Sequence, residues 1–353
     1  MIDYRSLTRK ELEDLAGNMG LPAYRGRQVF KWLWRPGLSG FHEITDLPSG
    51  LRNVFAQKGR IARLKVATEQ KSVDGTIKLG LGLDDGLMIE CVVIPEKDHL
   101  TLCLSTQVGC AMGCSFCYTA RMGFLRNLEA SEIAGQVIAV MERLGLEERP
   151  RNLVFMGMGE PLANYENLTR TVQILTDELG LNYSGRRITV STSGLAPEML
   201  RLGQDLDVGL AISLHAPDDE IRQEIMPINR RYPISALINA CKSYPIKPRR
   251  RITFEYLLLQ GINDRMEQAR GLARLLRGIP AKINLIPFNE SPGLSFKAPS
   301  EEDVLAFQKV LTDAGYTAII RKSKGQDIAA ACGQLNTMPL LHTRGRCINT
   351  NTA

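Results

Sequence analysis

The apolar and polar positions divide the chain into three stretches with different periods. Before residue 65 the period is helical. Thr8, Arg9, Lys10 and Glu11 read as a capping box, and Leu12, Leu15 and Met19 follow at helical spacing until Gly20, Leu21 and Pro22 break the run. Val29, Phe30 and Leu33 mark one side of a second helix over 25–34, and a third short helix is expected over 49–58. From about Val66 to Ile94 the pattern becomes β-like, with Gly75, Gly80, Gly82 and Gly86 as turn signals. Leu87 to Ile94 reads as a strand interrupted by a single carboxylate, Glu90.

Beyond that strand the chain alternates. Strands are expected at 101–105, 152–156, 187–192, 208–214, 251–258 and 282–287, with helices at 129–144, 165–179, 197–203, 234–243, 264–277 and 300–314. One further strand is expected at 316–321. Such βα units predict an α/β protein with a parallel sheet, either open or curled as part of a (β/α) barrel. The expected organisation is a helical accessory domain over 1–65, a β extension over 66–95, a catalytic barrel over 96–340, and a tail over 341–353 whose simple reading is disorder.

Composition narrows the class. With 353 residues, 44% hydrophobic and 23% charged, the chain is an ordinary globular one, and disordered or fibrous readings fall away. No apolar run reaches the length of a bilayer span, and Met1 to Arg9 lacks the apolar core of a signal peptide, so a cytoplasmic location and no membrane are expected. The net charge of +6 is compatible with a nucleic-acid partner without arguing for one. Eight cysteines in a chain of this kind point to metal or redox chemistry rather than a disulfide scaffold.

Three of those cysteines, Cys110, Cys114 and Cys117, fall within eight residues just after the first expected barrel strand. Structural zinc takes four ligands, normally in two separated pairs, and no further Cys or His follows at that spacing. Three thiolates suit a 4Fe–4S cluster whose fourth iron stays open to a ligand.

The Cys-x3-Cys-x2-Cys motif, with Phe116 immediately before its last cysteine, resembles the signature of radical S-adenosylmethionine (radical SAM) enzymes. The segments 101–110, 155–162, 211–217, 226–229 and 327–335 narrow the resemblance to the RlmN/Cfr group of RNA methyltransferases. Gly159-Glu160-Pro161 and the lead-in Gln107-Val108-Gly109 are more similar to the branch that methylates adenine at C2 than to the one that methylates C8.

The resemblance implies a radical SAM partial (β/α)6 barrel, a 4Fe–4S cluster on Cys110, Cys114 and Cys117, and two S-adenosylmethionine molecules per turnover. It assigns Gly159, Glu160, Ser191, Ser213, Leu214, His215 and Asn289 to that cosubstrate. Read alone, Ser191 is as well explained by capping a helix and His215 by a structural hydrogen bond. The rule that parallel βα folds collect function at the C-terminal ends of their strands places the candidates on one rim.

The resemblance further implies Cys332 as a methyl carrier and Cys103 as the thiol that resolves it through a Cys103–Cys332 disulfide. From the residues alone, a buried and inert cysteine is the default for either. The resemblance carries Glu90 over as proton acceptor, where burial in an apolar strand would raise its pKa and make it a better base; from the residues alone, an edge-strand glutamate facing solvent is the first reading. Cys91, Cys241 and Cys347 match no role.

The implied partners are 23S rRNA and tRNA, with a low-potential electron donor such as flavodoxin or ferredoxin, acting on a monomer. By their positions after strands, Arg121, Arg126, Arg230, Arg231, Lys322 and Lys324 are candidates for phosphate contacts. Lys247, Arg249, Arg250, Arg251, Arg186 and Arg187 fall on the opposite face and read as solvated charge. C8 methylation by the same machinery, and a non-enzymatic RNA-binding protein whose cysteines hold zinc, are the rival readings.

Overall fold

The computed structural model describes residues 1–145 and 148–337. The expected tail over 341–353, with Cys347, lies outside the described residues.

Local chemistry sets the first helices as the spacing predicts. Helix Arg9–Asn18 starts at Thr8, whose side chain accepts from the Glu11 N–H while Glu11 reaches back to the Thr8 N–H. Helices Tyr24–Leu33 and Ser49–Lys58 follow. Val29, Phe30, Leu33 and Phe55 are wholly buried between them, each contributing about 1.5–3 kcal/mol by leaving water. Arg5 is buried with them and donates to the carbonyls of Leu33 (2.8 Å) and Ala62 (3.0 Å). The helical unit is bolted to the barrel by surface ion pairs, among them Arg9–Asp177 (3.0 Å) and Arg63–Glu142 (2.9 Å).

A ten-stranded sheet forms the rest of the frame. Three antiparallel strands, Lys65–Lys71, Ile77–Gly82 and Met88–Pro95, make one flank. The last of them pairs antiparallel with Leu100–Cys103, the first barrel strand. Parallel barrel strands then follow at Asn152–Phe155, Ile188–Thr192, Gly209–Ser213, Ile252–Leu258, Ala281–Pro287 and Thr317–Ile320.

The spatial order of the strands is their sequence order, without a reversal. Each crossover therefore winds the same way, the helices gather on one side, and the twisted sheet curls toward a barrel instead of opening into a doubly wound sheet. The other face encloses the site.

Most expected helices are observed within a few residues, including Ala130–Leu144 and Ile234–Ser243. The seven-residue helix Asp219–Ile225 lies where no helix is expected; it is too short for periodicity to announce. Among the described residues, no helix is long and apolar enough to cross a membrane.

Candidate active site

A cavity of about 220 Å³ opens at the C-terminal ends of the barrel strands. Its wall brings together Cys103, Cys110, Cys114, Cys117 and Cys332, with Gly159, Glu160, Ser191, Ser213, His215 and Asn289. Two expected residues are not on that wall. Leu214 sits in the core, its N–H donating to the Glu255 carbonyl, and Glu90 is buried against the segment that carries Cys332.

The three-cysteine loop is pinned at several points. The Cys110 N–H donates to Gly123 (3.0 Å), and the Ser115 N–H donates to Ile225 (3.0 Å). The Phe116 ring stands edge-on to His215, with centroids 5.1 Å apart. All three thiols are pushed above their ordinary pKa by burial, so a bound cation is needed to hold them as thiolates. Among the described residues, no three His, Cys, Asp or Glu side chains converge on a single metal ion. Three thiolates from one loop suit a cubane, where each would meet a different iron.

The next loop supplies Gly159 and Glu160. Gly159 has φ +99°, and a Cβ there would lie 2.5 Å from the Gln107 side chain, so glycine is required. Glu160 is 4% exposed, and its two oxygens accept from the Leu162 N–H (3.1 Å) and the Ser193 N–H (2.7 Å). Burial raises its pKa while those bonds oppose the shift. Each oxygen keeps a lone pair for a ligand cation.

His215 occupies a left-handed backbone conformation, φ 59°. Its Nδ1 accepts from the Leu257 N–H at 3.0 Å, and burial lowers its pKa to about 3. It is a neutral imidazole fixed by the barrel wall, in agreement with its structural reading. Asn289 is buried, with its Oδ1 accepting from Gln326 (2.6 Å).

Cys332 is exposed onto the cavity, whereas Cys103 is 8% exposed on the same wall. Burial pushes the Cys103 thiol up to about 12 and also raises the Cys332 thiol, with Arg321 opposing that rise. Glu90 is 3% exposed; Lys78 lies 3.2 Å from its Oε1, and Oε2 accepts the Asn336 N–H at 2.8 Å. Burial raises its pKa, and Lys78 acts against that rise.

Sequence reasoning missed Arg222 and Glu255. Arg222 is fully buried and donates to the carbonyls of Leu214 (3.1 Å) and Ser193 (2.6 Å) and to Asn229 Oδ1 (2.9 Å), tying two strand ends together. Ser193 lines the cavity with a buried hydroxyl that has no protein partner. Glu255 also lines it: one oxygen accepts from Asn284 (2.8 Å), while the other has no protein partner. Such orphaned polar atoms on a largely apolar wall fit a ligand that brings its own donors.

The basic candidates divide. Lys322 and Lys324 line the cavity mouth, and Arg121 stands beside it, donating to the Gly293 carbonyl (2.8 Å). Arg126, expected to face phosphate, is already held by Glu132 (2.7 Å) and Asp85 (2.6 Å). Lys247 and Arg250 pair with Asp207 on the far face, as solvated charge would. Cys91 and Cys241 are buried away from the cavity wall.

Comparison with known proteins agrees with this geometry. Residues 104–273 match the family model of the radical SAM superfamily, and residues 2–61 match the ribosomal RNA large subunit methyltransferase N-terminal domain. Dual-specificity RNA methyltransferase RlmN of Desulfotalea psychrophila is 50% identical over 344 residues, 95% of each chain. The protein of the same name from Anaeromyxobacter dehalogenans is 53% identical, covering 94% of this chain and 91% of its own. A crystal structure of a radical SAM methyltransferase from Sphaerobacter thermophilus superposes with TM-score 0.89 at 46% identity, covering 95% of this chain and 99% of that one. The chain belongs to the RlmN family of radical SAM RNA methyltransferases, whose cofactors are a 4Fe–4S cluster and S-adenosylmethionine.

Proposed function

We propose that this chain forms 2-methyladenosine in the peptidyl-transferase region of 23S rRNA and at adenosine 37 of some tRNAs, with Cys332 carrying the methyl group. The observation behind this reading is that Cys332, Cys103 and the three loop thiols share one cavity. Carbon C2 of adenine is electron-poor and a weak nucleophile, so a thioether on the protein offers a route that direct transfer from a sulfonium does not.

In this reading Cys110, Cys114 and Cys117 hold the cluster. Glu160 receives the ammonium of S-adenosylmethionine, Ser191, Ser213 and Asn289 meet its remaining polar groups, and Gly159 and His215 contribute through the main chain; Leu214, with its N–H and carbonyl already paired, is left to the core. Bound there, the two cofactors supply a 5′-deoxyadenosyl radical and, over two S-adenosylmethionine molecules per turnover, the methyl group.

Cys332 presents the methyl as a thioether; with one hydrogen atom taken by the radical the cofactors would supply, and one electron returned to them, its carbon would join C2. Glu90 accepts the proton that leaves C2. Cys103 attacks the Cys332 sulfur, so the S–C bond to the product breaks as the disulfide forms, and the released carbon takes up a proton to become the methyl group.

We assign RNA contact to the helical unit before residue 65 and to Lys322 and Lys324. The β extension over 66–95 and the barrel from 96 are the other units, and the protein acts as a cytoplasmic monomer reduced by flavodoxin or ferredoxin. The test is anaerobic. The reconstituted chain is given S-adenosylmethionine, reductant, and unmodified 23S rRNA and tRNA, and the digested nucleosides are separated by mass-resolved chromatography. A 2-methyladenosine peak that vanishes with Cys332→Ala is the expected result. Retained turnover in that variant overturns the carrier role, and 8-methyladenosine overturns the regiochemistry.

A further inference from the structure

The segment carrying Cys332 is held by the β extension as well as by the loops of the barrel that surrounds the cavity. Lys78, on the Ile77–Gly82 strand, donates to the Ala329 carbonyl at 3.2 Å and pairs with Glu90 Oε1 at 3.2 Å. The other oxygen of Glu90 accepts the Asn336 N–H at 2.8 Å. One continuous bridge, Ala329–Lys78–Glu90–Asn336, thus closes both ends of the stretch with Cys332 at its centre. Upstream, the tip of the same hairpin repeats the arrangement: Asp74 accepts the Gly325 N–H (3.0 Å), and Ser72 donates to Asp327 (2.6 Å).

Two features indicate that the bridge sets geometry. Ala329 is left-handed, φ 50° and ψ 48°, a conformation an alanine keeps only where its surroundings over-determine it. The ion pair is almost dry, with side chains 8% and 4% exposed. A buried pair of this kind gives little stability over apolar residues of equal size, so fixing one arrangement of the chain is a better account of it.

We propose that Lys78 is a positioning residue for the methyl carrier: its ammonium joins Ala329 to Glu90 and keeps the Cys332 sulfur aimed into the cavity. The proposal rests on Cys332 being the carrier, and its test separates the two. Lys78→Met keeps most of the stem and removes the charge, while Lys78→Arg restores the charge.

In the cluster-loaded full chain, Lys78→Met is expected to bind iron like the parent and still release 5′-deoxyadenosine. Its yield of methylated adenosine per deoxyadenosine falls by about tenfold or more, and Lys78→Arg recovers most of that loss. Independently of turnover, Cys332 should react with iodoacetamide several times faster in Lys78→Met, read by peptide mass spectrometry. Parent-like coupling and alkylation in Lys78→Met overturn the proposal, and so does a Lys78→Arg variant no better than Lys78→Met. Methylation surviving in Cys332→Ala instead overturns the carrier reading and leaves the alkylation result to judge the bridge. Should Lys78→Met fail to fold, Asn336→Pro deletes the N–H that Glu90 accepts and is expected to speed alkylation in the same way; an unchanged rate overturns the bridge.

Discussion

The Tyr118 N–H donates to the Gly333 carbonyl at 2.8 Å, joining the residue after the last loop cysteine to the residue after Cys332. One residue further along the first segment and two along the second, the Thr119 hydroxyl donates to the Leu335 carbonyl, also at 2.8 Å. The cluster loop and the carrier segment are therefore one hydrogen-bonded unit, although more than 200 residues separate them. A shift in either moves the other.

Gly333 is the weak point of that unit. Its φ is +81°, and a Cβ would lie 3.4 Å from the Phe116 carbonyl oxygen. Gly333→Ala is expected to cost about 1–2 kcal/mol of backbone strain, with a larger proportional loss of methylation than of deoxyadenosine release. Thermal unfolding and the product ratio check this, and parent-like values for both would show that the segment tolerates a side chain there.

Arg222 should be among the costliest polar residues to remove. Its guanidinium satisfies the carbonyls of Leu214 and Ser193 and the side chain of Asn229, and burial holds its pKa down at about 10. Arg222→Met would strand those acceptors without water, at about 1–3 kcal/mol for each one left unpaired. Chemical denaturation of the parent and the variant measures the difference; a loss below about 1 kcal/mol would mean the strand ends re-pair.

His215 gives a pH dependence with a definite sign. Its folded pKa lies near 3 against an ordinary 6.5, so between those values the unfolded chain binds a proton that the folded chain does not. Stability from this group is fully present above pH 6.5 and is lost as pH falls toward 3, by up to ~1.4 kcal/mol per pH unit. Buried Glu160 and Glu255 have raised pKa values and contribute the opposite slope. The readout is therefore the parent minus His215→Asn, which keeps an acceptor at the Nδ1 position and suits a left-handed backbone. Equal acid slopes in the two proteins would rule out a neutral buried imidazole.

RNA affinity should distinguish free from occupied cations. Lys322→Ala and Lys324→Ala, at the cavity mouth, are each expected to lower the slope of log affinity against log salt by about 1. Arg126→Ala should leave that slope unchanged, because Glu132 and Asp85 already neutralise the guanidinium. Binding titrations at several salt concentrations test both, and a reduced slope in Arg126→Ala would mean that RNA displaces the carboxylates.

Whatever depends on residues a few positions apart could be read from the chain alone. The capping box at Thr8 and Glu11, the helical and strand periods, and the spacing of Cys110, Cys114 and Cys117 were all legible, because each is decided within about one turn of chain. The rim where Glu160, Ser191, Ser213 and Asn289 meet followed from the same alternation, whereas the order of the strands, open or curled, did not.

Which side chain answers which was settled by the fold. Glu90 was visible as a carboxylate in an apolar strand, yet its partners, Lys78 across the sheet and Asn336 at the far end of the described chain, were not. Arg126 looked free until the fold brought Asp85 beside it. Arg222 and Glu255 carried no signal, since an ordinary polar residue becomes distinctive only when burial removes water and leaves it few partners. Partner choice is set by sheet register and loop docking over tens to hundreds of residues, and no local pattern encodes those distances.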